Sequence, residues 1–537
     1  MGKFEIKIDS VTGGIAPALS VGRRNQFQNS IGIDPDFPVS DSEKVVSGLI
    51  RPVSYEDFSG ANIDSDVVAL FNTPDNEKVY SVQENGKLVS YSNTLASETL
   101  ETTFGNGAGS KTASFGVYYN NYIYASGTEG NTSGAKADIS RWGPLDATPA
   151  KVDEAWTGST LGSQTALSSG YSGTYPFNLP KHAMHAHTDN KLYITDYADV
   201  NNAGKRGLIH FIKTREDTDP GDTDDGSTYG ALDLPYNAFP VDIESYGDDL
   251  VIACLGTDKG SNPGGRAALY FWDTVSDSFY RVVYLPDAYV SAVLNHNGVL
   301  YIWTASNGGG YRVLRYLGGQ SVEQIAFFED GYGPWSGAVL GNGQRIVWGH
   351  GSTEPITSAS VYSYGSKKTG LPSTALQCIA TTTATASNTR VPAMMYHDAT
   401  PSYQKDKFVI AHTDTSTNVG IEKLSTTYGN HVWRSLEYQI GAPFTIDEIV
   451  IPLAQSVAAN MTIVPKLFFD RQNTSQALTT INNTNYAGSE IVIKIDPSEK
   501  TRGKNSFFLE LVWSGTALAT VSLPIIIKGT KGSNNTE

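Results

Sequence analysis

Residues 295–316 read NHNGVLYIWTASNGGGYRVLRY, and the way this stretch divides decides the fold. Asn297 and Gly298 both tolerate the positive φ of a two-residue hairpin turn, and the apolar, aromatic and β-branched residues after them are strand formers. A glycine turn then leads into a second run of the same kind. The stretch therefore predicts two strands of a small antiparallel sheet.

The signature recurs: turn residues followed by four mostly apolar positions. It appears as NEKVYSV from Asn76, NNYIYAS from Asn120, DNKLYIT from Asp189, GDDLVIA from Gly247, NGVLYIW from Asn297, NGQRIVW from Asn342 and KDKFVIA from Lys405. Aligned on Val79, Ile123, Leu192, Leu250, Leu300, Ile346 and Phe408, the copies lie 44, 69, 58, 50, 46 and 62 residues apart. A four-stranded propeller blade takes roughly 40 to 50 residues. One blade per copy, with insertions in the longer intervals, gives an irregular β-propeller of about seven blades over residues 61–430, each copy a central strand of its blade. Within the unit after Gly247 the other strands read as RAALYFWDT, the turn VSDS and FYRVVYLP, before YVSAVLN opens the next unit. The competing reading is a set of unrelated hairpins in a sandwich or solenoid, since no Trp-Asp dipeptide repeats.

From His431 the pattern changes to longer alternating strands. Ile449, Ile451 and Leu453 share one face at period two, as do Ile491, Ile493 and Ile495, and Phe507, Leu509, Leu511 and Trp513. Five such strands predict a β-sandwich over residues 431–537, ending in a short mobile tail. Residues 1–60 have turn formers and few periodic apolar positions, which predicts an extended N-terminal arm shaped against a partner surface.

Composition agrees with an all-β chain of 537 residues, with 53 Gly, 29 Tyr and only 39% hydrophobic residues. A formal charge of -16, without a long basic run, argues against direct nucleic-acid binding. Cys254 and Cys378 each sit in an apolar run, which predicts buried free thiols. The N-terminus has no continuous apolar stretch after its charges, so no export signal or membrane insertion is expected.

The run GGIAPALSVGRRNQFQNSIGIDPDFPVSD at 13–41, then an irregular propeller, then a sandwich opening HVWRSLEYQIGAPFTIDEIVIPL at 431–453, resembles structural proteins of tailed bacteriophages, particularly tail or nozzle propeller proteins. The resemblance implies a non-enzymatic virion protein, made in the host cytoplasm, that assembles as a homo-oligomeric ring with other virion structural proteins. It supplies no residue set to carry over.

Catalytic signatures are absent from the sequence: no sialidase-type Ser-x-Asp-x-Gly-x-x-Trp boxes, no P-loop, no dinucleotide-binding glycines and no His-Glu-x-x-His. The expectation is no catalytic site and no cofactor, with calcium as the exception to examine. Asp217, Asp219, Asp222 and Asp224, with Asp225, place hard oxygen ligands on a glycine-bearing stretch, REDTDPGDTDDGSTYG, although the spacing fails the EF-hand template, which favours a solvated insertion over calcium. In KHAMHAH, His185 and His187 share a strand face while His182 points away. At most two imidazoles would meet there without a third ligand from elsewhere. The stretch DGYGPWSG around Trp335 reads either as a blade-loop platform for a host receptor or surface glycan, or as blade core.

Overall fold

The computed structural model describes residues 2–9, 27–31, 34–38, 47–50, 53–57, 62–73, 78–92, 95–104, 113, 115–128, 137–154, 182–199, 205–212, 231–236, 238–256, 265–305, 310–329, 331, 333–351, 360–366, 375–381, 389–397, 408–413, 419–428, 430–486, 492–495, 501–503, 505–517 and 519–532. Six four-stranded antiparallel sheets follow one another within 67–103, 115–154, 184–233, 238–284, 289–328 and 339–381, each with its strands in chain order. A seventh takes Met394–Tyr396, Phe408–Thr413 and Val419–Tyr428 and is completed by Val53–Asp57 from the N-terminal region.

The first strand of each sheet lies against the first strand of the next, and that of the seventh lies against that of the first. The sheets therefore stand in a closed ring around an axis, the arrangement of a β-propeller. All seven copies found in the sequence are second strands: Lys78–Gln83, Tyr122–Thr128, Leu192–Asp199, Asp249–Gly256, Val299–Ala305, Gln344–His350 and Phe408–Thr413. Their seven alignment residues are all buried.

Face-to-face packing explains why these strands are apolar at consecutive positions rather than at alternate ones. In the fourth sheet Leu250, Ile252 and Cys254 pack with Tyr193 and Ile209 of the third, while Val251, Ala253 and Leu255 join the core shared with the fifth. In the seventh, Phe408 and Ile410 face the sixth sheet, and Val409 and Ala411 face the first. Each second strand thus feeds two apolar layers. Burying one Leu, Ile or Phe contributes about 1.5–3 kcal/mol, so the repeated run is the main adhesive between sheets.

Turn chemistry sets the hairpins. Asn297 and Gly298 adopt φ of 53° and 77°, the doubly positive pattern of a type I′ turn, and Gly247 at φ 68° serves the matching turn of the fourth sheet. First strands carry a bulge at Val67/Ala69, Pro240/Asp242 and Val290/Ala292, which adds twist where the strands crowd the axis. Neighbouring sheets are also latched: Tyr119 Oη donates to the Asn190 carbonyl (2.6 Å), and His296 Nε2 reaches the Gly343 carbonyl (2.9 Å). Both latches run from the end of one first strand to the turn of the next sheet.

Around one core the C-terminal region sets a three-stranded sheet of Asp34–Pro38, Ser47–Ile50 and Thr520–Ser522 and two larger sheets. One of the larger sheets has the order Gly2–Ile8, Ile525–Lys531, Phe444–Pro452 and Val492–Ile495; the other has Phe27–Ile31, His431–Ser435, Ser506–Gly515, Met461–Phe469 and Ser475–Ala477. Ile446, Ile449, Ile451, Ile525 and Ile527 from the first meet Trp433, Ile463, Phe507, Leu509, Leu511 and Trp513 from the second. The faces read from Ile449/Ile451/Leu453 and from Phe507 to Trp513 are the core faces. Ile491 lies outside the described residues, as do the side chains of Ile493 and Ile495.

The expected partner of the N-terminal arm is, for its described strands, this chain itself. Gly2–Ile8 pairs with Ile525–Lys531, Phe27–Ile31 with His431–Ser435, Ser47–Ile50 with Thr520–Ser522, and Val53–Asp57 with Val419–Tyr428. Weak local periodicity is no bar to strand formation where a preformed edge supplies the hydrogen bonds.

Candidate functional site

One group of polar side chains gathers where the first strands of the third, fourth and fifth sheets meet. Ala238–Tyr246 opens apolar and then carries carboxylates at period two, Asp242 and Glu244, followed by Ser245. Asp242 is buried, and its Oδ1 accepts from the Ile243 amide (3.0 Å) while Oδ2 accepts from the Val293 amide of the fifth sheet (2.8 Å). First strands are sheet edges with unpaired amides, and this carboxyl satisfies one of them. Burial pushes the Asp242 carboxyl up to about 7 despite those two donors. Burial, then the nearby Asp242, pushes Glu244 up to about 8.

His185 and His187 approach from the third sheet. His185 Nε2 is 2.7 Å and His187 Nδ1 is 2.8 Å from the same oxygen, Ser245 Oγ, so both imidazoles converge on the neighbouring sheet. His187 Nε2 lies 3.2 Å from the Asp248 carbonyl, which can only accept, so that nitrogen carries the proton. His187 Nδ1 then accepts from the Ser245 hydroxyl, and Ser245 accepts from His185 Nε2. Burial, then neighbouring His187, lowers His185 to about 4, so its ring is neutral at pH 7. Glu244 Oε1 stands 3.7 Å from His185 Nε2. Asn295 Nδ2 donates to the Ser245 carbonyl (2.8 Å), while its buried Oδ1 accepts no hydrogen bond.

The structure divides the sequence candidates. His185 and His187 meet and His182 does not: its Nδ1 lies 2.8 Å from the Thr195 carbonyl and 3.8 Å from Asp196 inside the third sheet. Asp217, Asp219, Asp222, Asp224 and Asp225 fall between Lys205–Ile212 and Leu232–Asp233 and lie outside the described residues, so the calcium reading stays with the sequence. Among the described residues, no group of three or more His, Cys, Asp or Glu side chains could hold a metal ion. Trp335 is 7% exposed and packs with Tyr289, Tyr311 and Trp303, which makes it blade core. Tyr332 lies outside the described residues. Cys254 is a buried free thiol; the side chain of Cys378 is not among those described.

Ser245, Glu244, Asp242 and Asn295 were missed by sequence reasoning. Their signal was available in VDIESYGDD, where two acids interrupt an apolar strand at period two beside a hairpin turn. The exposed aromatics also lie elsewhere than expected: Tyr280 and Tyr284 beside and on the outer strand of the fourth sheet, Phe327 on that of the fifth, Tyr396 at the end of the first strand of the seventh, and Tyr236 in the connection before the fourth.

No protein-family model matches the chain, and no curated protein does. Among solved structures it is similar to the Dos1 propeller, at 11% identity over 71% of this chain and 96% of that one, with a TM-score of 0.41. The C-terminal WD40 domain of Sif2 gives 12% identity over 70% and 99%, with a TM-score of 0.37. A family 43 arabinoxylan arabinofuranohydrolase from Bacillus subtilis gives 11% over 78% and 95%, at 0.28. The fold defined by the sheets themselves is all-β, with a propeller as its larger part.

Proposed function

We propose that the protein is a non-enzymatic structural component of a virion, of the tailed-phage tail or nozzle kind, acting as a building block in a ring with other virion proteins. The observation that supports this best is the use of one N-terminal segment in both bodies. Its strands complete both larger sheets of the C-terminal core and the last sheet of the propeller. A subunit stitched in this way resists separation of its parts, as a component of a mechanically stressed particle must. The resemblance at 13–41 and 431–453 points the same way. Quantitative mass spectrometry of density-purified particles tests the proposal. A small fixed copy number per particle, on the scale of a ring, is the expected result; absence from intact particles overturns it.

A second reading, a receptor- or glycan-binding propeller, is favoured by Tyr236, Tyr280, Tyr284 and Phe327, exposed on or beside outer strands. Exposed aromatic rings of this kind suit stacking on sugars. Glycan binding by the purified chain that disappears in Tyr280→Ser/Tyr284→Ser would establish it, and no binding to a diverse glycan panel would remove it.

A further inference from the structure

We propose that Tyr280, Arg281 and Asp249 form a subsite for a neutral pyranose sugar on the seam between the fourth and fifth sheets. The subsite rests on the second, glycan-binding reading and gives it a sugar class and a named place. Tyr280 is 50% exposed, yet it is held at both ends. Its backbone amide donates to the Phe271 carbonyl (3.0 Å), and its hydroxyl donates to Asp249 Oδ2 (2.5 Å). A ring fixed in this way gives up little freedom on binding, and the C–H face of a pyranose stacks on such a ring.

Arg281 is positioned from the neighbouring sheet. Its Nη1 donates to Tyr316 Oη (2.7 Å), and that hydroxyl donates in turn to the Gly319 carbonyl (3.1 Å). The guanidinium carbon lies 5.4 Å from the centre of the Tyr280 ring and 5.5 Å from that of Phe271. Tyr246, Phe271 and Tyr316 pack against one another with centroids 5.2 to 6.2 Å apart, so the support is rigid. A guanidinium carries five N–H donors in a fixed fork, and Tyr316 takes one of them.

The charges set the ligand class. Among the described residues Arg281 makes no ion pair, with Asp249 or with any other carboxylate. The exposed ring therefore has a fixed donor and a fixed acceptor beside it that do not neutralise each other. Hydroxyl groups both donate and accept, so neighbouring hydroxyls of one sugar can accept from Arg281 and donate to Asp249 while the sugar face rests on Tyr280. An acidic sugar would meet the Asp249 carboxylate in a chain of formal charge -16, and a cationic ligand would meet Arg281. A neutral polyol suits both.

The test is saturation-transfer NMR of the full chain with maltotetraose, mannotetraose and galactotetraose at millimolar concentration, with tetragalacturonate as the acidic control, on wild type, Tyr280→Ser and Arg281→Gln. Binding of at least one neutral tetrasaccharide, about tenfold weaker in each variant and little changed by added salt, is expected. Preference for tetragalacturonate, or neutral binding that survives either variant, overturns the subsite and leaves glycan binding elsewhere on the propeller. No binding of any of these sugars overturns the subsite, and no binding to the wider glycan panel removes the second reading with it. If Arg281→Gln loses its β-sheet circular dichroism, Tyr280→Ser decides: tenfold weaker binding supports the subsite, and unchanged binding refutes it.

Discussion

The fourth and seventh sheets of the propeller have the same four-strand order and differ in where the fourth strand comes from. In the fourth, Arg281–Tyr284 follows Ala268–Trp272 through a short turn; in the seventh, Val53–Asp57 arrives from the other end of the chain to pair with Val419–Tyr428. The first is a local product of turn residues and periodic strands. The second joins strands from opposite ends of the chain, Asp57 pairing with Glu422. The chain therefore closes its ring, and its second core, with strands whose partners are distant in sequence.

Removing those strands should have the largest effect. Deletion of residues 1–57 takes away Gly2–Ile8, Phe27–Ile31, Ser47–Ile50 and Val53–Asp57, leaving open edges in both bodies. A loss of cooperative thermal unfolding, seen by calorimetry, is expected. A deletion variant that melts like the full chain would mean the strands are dispensable.

Truncation at a local repeat position should cost less but remain severe. Leu250 is fully buried between the third and fourth sheets, so Leu250→Ala should destabilise by about 2–5 kcal/mol in denaturant unfolding. Val275 in the fourth sheet's outer turn is 86% exposed, and Val275→Ser should stay within about 0.5 kcal/mol.

The axis carboxyls give a pH signature to the local half of the comparison. Asp242 and Glu244 titrate near 7 and 8 in the folded protein, above the ordinary carboxyl values of 3.8 and 4.5. The native state thus holds the extra protons, so their stabilisation is complete below about pH 4 and is lost as pH rises through 7 and 8. His185 and His350, both held near 4, act in the opposite sense: their contribution is present above 6.5 and lost as pH falls towards 4. Asp242→Asn turns an amide donor towards either the Ile243 or the Val293 N–H and should cost about 1–3 kcal/mol at pH 5. It should also flatten the decline in melting temperature through pH 7. An unchanged pH slope would show that Asp242 does not titrate there.

A modest effect is expected at the turn that opened the sequence reading. Gly298 sits at φ 77° with open space around its Cα, so Gly298→Ala should cost about 1 kcal/mol from backbone strain alone. A cost near zero in equilibrium unfolding would mean the turn relaxes.

What was legible in the sequence was whatever the chain does with its near neighbours. Turn residues and consecutive apolar positions marked all seven second strands, because those strands are covered on both faces by adjoining sheets. The C-terminal core faces were equally readable from Ile449/Ile451 and Leu509/Leu511. The N-terminal strands were not, since FQNSI and VSYED carry little periodicity and borrow their hydrogen bonds from distant edges. The polar cluster was half legible. The histidine pairing followed from strand alternation, but Ser245 and Glu244 become its neighbours only through the packing of one sheet on the next.

Hydrogen exchange of the full chain tests the closure of the ring most directly. The paired amides of Val53–Asp57 and Val419–Tyr428 should exchange as slowly as those of Ala238–Tyr246 and Asp249–Gly256 in the fourth sheet. Rapid exchange of 53–57 while the fourth sheet stays protected would contradict the account, because the seventh sheet would then lack its fourth strand.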